Sequence, residues 1–228
     1  MSEAIYQLGG LRFWNEREIT LREQYTERLS QVVRYALLNM NPAWQFFRVE
    51  GPCLAPASEI SPAYTEDDVF ITNHSAGGDF LRLRAETTPS SYAYARWLMK
   101  REKRAKPPLC VWQAGKSFRR ETNDGASAAK LRFNEFYQLE FQCIYRADTK
   151  ADYRSALIHA VAVECGLLTG IGGRTIDSDR LPSYSESTID IELGGREVAS
   201  CSIRTDFADD MRVCEIAIGL DRLVELSR

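Results

Sequence analysis

Two stretches decide the fold: Val111-Trp-Gln-Ala-Gly-Lys-Ser-Phe-Arg-Arg-Glu121 and, after a soft Ala/Gly/Ser-rich segment, Leu131-Arg-Phe-Asn-Glu-Phe-Tyr-Gln-Leu-Glu-Phe-Gln-Cys143. They read as two antiparallel strands joined by a long loop. Side chains alternate along a strand, so Leu131, Phe133, Glu135, Tyr137, Leu139, Phe141 and Cys143 face one way. Arg132, Asn134, Phe136, Gln138, Glu140 and Gln142 face the other. The first face is mostly apolar and suits a core. The second places an Arg fork beside carboxylates and an aromatic ring, which offers a phosphate clamp, a stacking platform and acceptors for an amino group. A hairpin whose outer face is simply wet has the same pattern, so the rest of the chain must decide.

Working outward, Glu16 to Met40 carries Ile19, Leu21, Tyr25, Leu29, Val32, Val33, Tyr35 and Leu37 at mostly helical spacing, and Asn41-Pro42 ends it. A strand from Trp44 to Glu50 stops at Gly51-Pro52. Val69 to Thr72 and Phe80 to Arg84 form a hairpin about the turn residues Asn73 to Gly78. A helix follows from about Thr88 to Arg104, ended by Pro107-Pro108, and Leu109 to Phe118 is the first arm of the opening hairpin. Tyr153 to Leu168 is a helix stopped by Gly170 and Gly172-Gly173. Ser183 to Leu193, Glu197 to Thr205 and Val213 to Ile218 are three further strands, and Leu220 to Leu226 is a short closing helix. Leu54 to Asp68 has no assignment by pattern. The fold class is α+β, a mainly antiparallel sheet flanked by helices, in one domain spanning residues 1–228 without repeats.

Composition narrows the function. With 228 residues, 44% of them hydrophobic and 27% charged, the chain can bury one large sheet. A net charge of −3 excludes a globally basic nucleic-acid coat, so no DNA partner is expected and any RNA contact must be local. No run approaches a membrane span, and Met1-Ser-Glu-Ala-Ile5 lacks the basic and apolar regions of a secretory signal, so a cytoplasmic protein is expected. The six cysteines, at 53, 110, 143, 165, 201 and 214, form no Cys-x-x-Cys pair and read as buried thiols in a reducing compartment. His74 and His159 are the two histidines, too few and too far apart for a His/Cys zinc site. His159 reads as a packed core residue, and Trp14, Trp44, Trp97 and Trp112 as core or dimer-contact residues. The basic run Lys100-Arg-Glu-Lys-Arg-Ala-Lys106 reads as a solvated helix end that complements the dipole.

Four segments carry a resemblance: Leu83-Arg-Ala-Glu86-Thr-Thr, Gly115-Lys-Ser-Phe-Arg119-Arg-Glu121, Glu197-Val-Ala-Ser-Cys-Ser-Ile-Arg204-Thr-Asp206-Phe and Glu215-Ile-Ala-Ile-Gly219-Leu-Asp-Arg222. In this order they resemble the catalytic domain of class II aminoacyl-tRNA synthetases, glycyl-tRNA synthetase above all, over nearly the whole chain. The resemblance implies ATP-dependent activation of a small amino acid, glycine first, to an aminoacyl-adenylate, with transfer to tRNA or another acceptor such as a carrier protein. It implies that Arg119 holds the α-phosphate and the amino-acid carboxylate, that Glu121 accepts from the adenine amino group and that Phe136 stacks on the adenine ring. Arg132 and Arg222 would reach the outer phosphates, and Mg2+ would bridge them with Glu197 as its support. The amino acid would be held by Glu86, Glu140 and Glu215 at its ammonium and by Arg204 near its carboxylate. The chain departs from the glycyl pattern where Ala217 replaces a serine and Asn134 an arginine. A homodimer through the Glu16 to Met40 helix and the strand ending at Pro52 is expected, with no C-terminal anticodon-binding domain. The alternative is a synthetase-like subunit that binds or regulates without catalysis.

Overall fold

The computed structural model describes residues 7–8, 11–103, 105–121, 131–179 and 181–227. The segment 122–130, read above as a soft loop, lies outside them, as do Met1–Ile5 and Arg104.

Two short strands, β1 (Gln7–Leu8) and β2 (Leu11–Arg12), precede the long helix α1 (Glu16–Met40). Asn15 caps α1 through a reciprocal box with Glu18, which satisfies two otherwise orphaned amides. Then come β3 (Gln45–Arg48), β4 (Leu54–Pro56) with a following 3-10 turn (Ala57–Glu59), β5 (Ile71–Ala76), β6 (Asp79–Leu83) and α2 (Thr88–Arg101). The hairpin that opened the sequence reading is β7 (Leu109–Phe118) and β8 (Glu135–Arg146). The rest is α3 (Tyr153–Thr169), β9 (Gly173–Asp177), β10 (Ser185–Leu193), β11 (Arg196–Arg204), β12 (Met211–Gly219) and α4 (Leu220–Leu226).

Seven strands form the main sheet in the order β3-β7-β8-β12-β11-β10-β9, antiparallel except where the edge strand β3 runs parallel to β7. A smaller sheet, β4-β6-β5, stands beside it. The expected α+β class with a mainly antiparallel sheet and flanking helices is what the chain adopts. On one face of the main sheet α1, α3 and α4 bury Leu29, Val33, Leu37, Leu157 and Val161 against Leu139, Phe141 and Ile216. Four sheet cysteines, Cys110, Cys143, Cys201 and Cys214, and Cys165 of α3 belong to this same core as small hydrophobes. No helix among the described residues is long and apolar enough to cross a membrane.

Several expectations are corrected. Leu131 to Asn134 is not strand: β8 starts at Glu135, and Leu131 has φ 52°, which breaks the ladder before it. The turn between β5 and β6 is narrower than Asn73 to Gly78, because Gly77 and Gly78 both have positive φ and strand pairing runs to Ala76. The unassigned stretch Leu54 to Asp68 holds β4 and the 3-10 turn, and β9 is a strand without an expectation in the sequence, starting at Gly173, one of the glycines expected to stop the helix. The helix expected to reach Arg104 ends at Arg101. His159 is exposed on α3 rather than packed, Cys53 is exposed, and Trp97 is half exposed.

Arg84 fastens the small sheet to the large one. Its side chain is buried, and it donates to Lys116 O at 2.8 Å, Gly51 O at 3.0 Å and Pro52 O at 2.9 Å. Gly115 is required beneath it, since a Cβ there would stand 2.3 Å from the guanidinium. Arg84→Ala removes three charge-assisted hydrogen bonds and empties the buried space between the sheets, and we expect a loss of about 3 kcal/mol of stability. A lower urea midpoint at unchanged slope checks this.

Candidate active site

The face of the main sheet opposite α1 and α3 carries the charged side chains, and they line one cavity of about 990 Å3. Register places them. Gln113 pairs with Glu140, Gly115 with Gln138 and Ser117 with Phe136 across β7 and β8, while Ala217 of β12 lies beside Glu140. Because residues two apart share a face, Phe136, Gln138 and Glu140 point into the cavity together, and Glu215 and Ala217 join them from β12.

The turn before α2 brings in Glu86, Thr87 and Thr88. Gln113 holds that turn, accepting from Gly51 N–H at 3.0 Å and donating to Thr87 O at 3.1 Å and Ser91 Oγ at 2.7 Å. Thr87 N–H donates to Glu140 Oε2 at 2.9 Å, and Thr88 Oγ1 to Glu215 Oε2 at 2.8 Å. Gln142 Nε2 and Arg204 Nη1 also donate to Glu215 Oε2, at 2.7 and 2.8 Å. Arg204 reaches Glu86 Oε1 at 3.4 Å and Asp206 Oδ2 at 2.7 Å, with the Tyr184 ring 3.8 Å from its guanidinium carbon. Arg204 is 1% exposed, so it acts from behind the carboxylates as their buried counter-ion, not as a lining residue.

These contacts leave a defined vacancy of charge. Every donor on Glu140 and Glu215 among the described residues goes to Oε2, so each has a second oxygen that the protein does not satisfy. Burial, with Glu215 and Glu86 close by, pushes the Glu140 carboxyl up to about 8. Glu86 is raised too, by burial against the opposing pull of Arg204. The carboxylates of this corner are thus only partly balanced by Arg204, and a cationic group is what their chemistry would accept.

Next to it, Arg119 donates through Nε to Ala85 O at 3.1 Å, and its guanidinium carbon lies 5.3 Å from both the Tyr64 and Phe136 ring centres. Both rings are within cation–π range. Glu121 and Arg132 form a pair at 3.7 Å, and Asn134 Oδ1 accepts from Glu121 N–H at 2.8 Å. Arg222 contacts Glu197 Oε1 at 3.1 Å and Glu197 O at 2.8 Å. Of the ten residues proposed from sequence, nine line this cavity: Glu86, Arg119, Glu121, Arg132, Phe136, Glu140, Glu197, Glu215 and Arg222. Arg204 stands directly behind them. Arg132 reaches the cavity from the irregular segment before β8 rather than from the strand face.

Sequence reasoning missed Tyr64, Gln138, Tyr184 and Asp190, all of which line the cavity. Gln138 lies on the face expected for it, but nothing in the sequence singles it out; its Oε1 has no hydrogen-bond partner among the described residues. Asp190 is 8% exposed and is raised by burial and then by Glu197 and Asp179 after a Ser178 hydrogen bond has opposed the shift. Among the described residues no group of three or more His, Cys, Asp or Glu is arranged to hold a metal unaided.

Comparison with known proteins agrees with this geometry. No family model matches the chain. Its fold is that of class II aminoacyl-tRNA synthetase catalytic domains. Prolyl-tRNA synthetase from Cryptosporidium parvum, complexed with halofuginone and AMPPNP, superposes with a TM-score of 0.75 at 13% identity, over 97% of this chain and 48% of that one. Prolyl-tRNA synthetase from Giardia lamblia, in complex with prolyl-adenylate, superposes with a TM-score of 0.74 at 14% identity over the same shares. In sequence, the glycine–tRNA ligase of Mycoplasmopsis synoviae (strain 53) is 32% identical over 114 residues, 48% of this chain and 25% of the ligase. The chain thus spans about half of each structural neighbour and a quarter of that ligase.

The charge in the pocket depends on pH. Below pH 8 Glu140 holds a proton in the folded protein, which a bound cation would have to expel. Affinity for a small ammonium probe such as methylammonium should therefore rise with pH, by up to about tenfold per unit, and level off above pH 8. The ligand-free protein should lose stability over the interval from the ordinary carboxylate range to pH 8, as charge is forced into the pocket. Glu140→Gln should weaken both dependences, leaving the smaller part due to Glu86 and the other raised carboxyls; calorimetric titration and thermal melts across pH 5–9 test this.

Proposed function

We propose that the chain activates an amino acid with ATP, forming an aminoacyl-adenylate and pyrophosphate. The carrying observation is the convergence, in one cavity, of a carboxylate-rich pocket short of a cation with Arg119, Phe136 and Arg222 beside it. In this reading Glu140 and Glu215 accept the α-ammonium through their free oxygens, and Phe136 supports the adenine ring, whose amino group donates to Glu121. Arg119 lies between the ammonium pocket and Phe136, where it can grip the substrate carboxylate and the α-phosphate together. The carboxylate oxygen attacks the α-phosphorus in line, the new P–O bond forms, and the bond to pyrophosphate breaks. No side-chain nucleophile is needed; positioning and charge neutralisation carry the rate. Arg222 and Arg132 are placed for the outer phosphates.

Glu197 and Asp190, on the adjacent strands β11 and β10 and close enough for their charges to oppose each other, are the residues that would hold a Mg2+, which would supply further neutralisation of negative charge. The glycine–tRNA ligase match and the resemblance make glycine the first substrate to try, with tRNA or a carrier protein as acceptor. Dimerisation through α1 and the open edge strand β3 belongs to the same reading.

Pyrophosphate exchange screened over all amino acids tests the proposal. We expect one small amino acid to stimulate exchange. Arg119→Ala should lower it by about 10²–10³-fold, and Phe136→Ala should raise the KM for ATP by about tenfold. A native protein that binds ATP yet exchanges with no amino acid would instead make it a non-catalytic, synthetase-like binding subunit.

A further inference from the structure

Tyr64 belongs to the stretch between β4 and β5 that pattern left unassigned, and it touches both halves of the cavity. Its hydroxyl donates to Glu86 Oε2 at 3.1 Å, and its ring centre lies 5.3 Å from the Arg119 guanidinium carbon. The segment carrying it is fastened to the strand end that carries Arg119. Arg120 N–H donates to Asp68 O at 2.9 Å, and Arg120 Nη1 to Glu66 O at 3.3 Å. Within the segment, Tyr64 N–H closes a turn onto Ser61 O at 3.0 Å, and Asp68 Oδ2 accepts from Thr65 N–H at 2.8 Å. The loop and the end of β7 are thereby held as one piece, so the phenol keeps its place relative to both partners.

Glu86 has few other restraints. Arg204 meets its Oε1 at a long 3.4 Å, while its Oε2 depends on the phenol. Among the described residues Arg119 is likewise anchored by one hydrogen bond, to Ala85 O, so its plane is set by the two rings that flank it. We propose that Tyr64 is a positioning residue that couples the two ends of the reaction: its hydroxyl orients the Glu86 carboxylate at the ammonium pocket, and its ring orients Arg119 at the phosphate. The inference rests on the adenylation reading for what the two ends bind, but the coupling itself is a property of the unliganded protein.

Two substitutions separate the two halves of the residue. Tyr64→Phe keeps the ring and removes the hydroxyl. We expect the KM for the amino acid to rise about tenfold, the size of a lost charge-assisted hydrogen bond, with the KM for ATP within about twofold of native. Tyr64→Leu removes the ring as well, and kcat and the affinity for a non-hydrolysable ATP analogue should fall too.

A second readout needs no activity. Glu86 faces Arg204, Glu215, Arg119, Glu140 and Tyr184 besides Tyr64, and the phenol's hydrogen bond favours its charged form. In a 13C NMR titration of the native protein and Tyr64→Phe, the Glu86 carboxyl should therefore titrate at higher pH in the variant. An unchanged Glu86 titration overturns the inference even if exchange is never detected. So does an equal loss of kcat and of both affinities in Tyr64→Phe, which is the signature of a merely structural side chain. Failure of the native protein to exchange, with the Glu86 shift present, counts against the adenylation reading alone.

Discussion

The buried guanidinium of Arg204 is the charge on which the pocket depends. Glu86, Glu140 and Glu215 crowd one buried corner of the cavity, where burial and mutual repulsion raise the carboxyls of Glu86 and Glu140. Arg204 reaches two of them directly and is itself held by Asp206, whose other oxygen takes the Tyr92 hydroxyl. Removing one partner of such a network strands the others, which typically costs about 3–5 kcal/mol. A protein that needed only a stable sheet would be served better by apolar residues in these positions. The network makes sense as a seat that stays unsatisfied until a cation arrives.

The sheet converts that local chemistry into a site by register alone. Four neighbouring residues form one row across it: Glu140 on β8, Ala217 on β12, Ser200 on β11 and Asp190 on β10. The opposite face of the same strands supplies Leu139, Phe141, Ile216 and the thiols of Cys143, Cys201 and Cys214 to the core under α1 and α3. A slip of one residue would exchange the two faces, burying charge against the helices and exposing the core. The fold and the site are therefore fixed by one alternation, and neither can drift without the other.

That alternation is why so much could be read from residues. Phe136, Gln138 and Glu140 fall on the cavity face as period two requires, while the grouping of Glu140 with Glu86 and Glu215 follows from the family resemblance rather than from the alternation. The reading failed where side chains are positioned by turns rather than by ladders. Arg132 follows Leu131, whose positive φ ends strand geometry, so counting by twos gave it the wrong backbone state. Tyr64 and Tyr184 come from connecting segments that carry no period, and a tyrosine in a loop has no signature until the loop is folded over something. His159 failed for a different reason. It shares an α3 stripe with Val163 and Leu167 that faces outward, and apolar neighbours at helical spacing looked like a core.

The two departures from the glycyl pattern also acquire physical sense. Asn134 stands where an arginine was expected, and it spends its side-chain oxygen on the Glu121 amide, stiffening the link between Arg119 and β8. Ala217 sits in the row between Glu140 and Ser200, at the middle of the cavity floor. Glu140 and Asp190 end that row three strands apart, roughly 14 Å at the backbone. One end is short of a cation for an ammonium; the other gathers the charges of Asp190 and Glu197, suited to a metal-bound triphosphate. The reacting carboxylate and phosphorus would lie between the ends, above Ala217 and Ser200. In the proposed reaction small side chains would be needed there, because two anionic groups would approach over them and a larger side chain would occupy the space between.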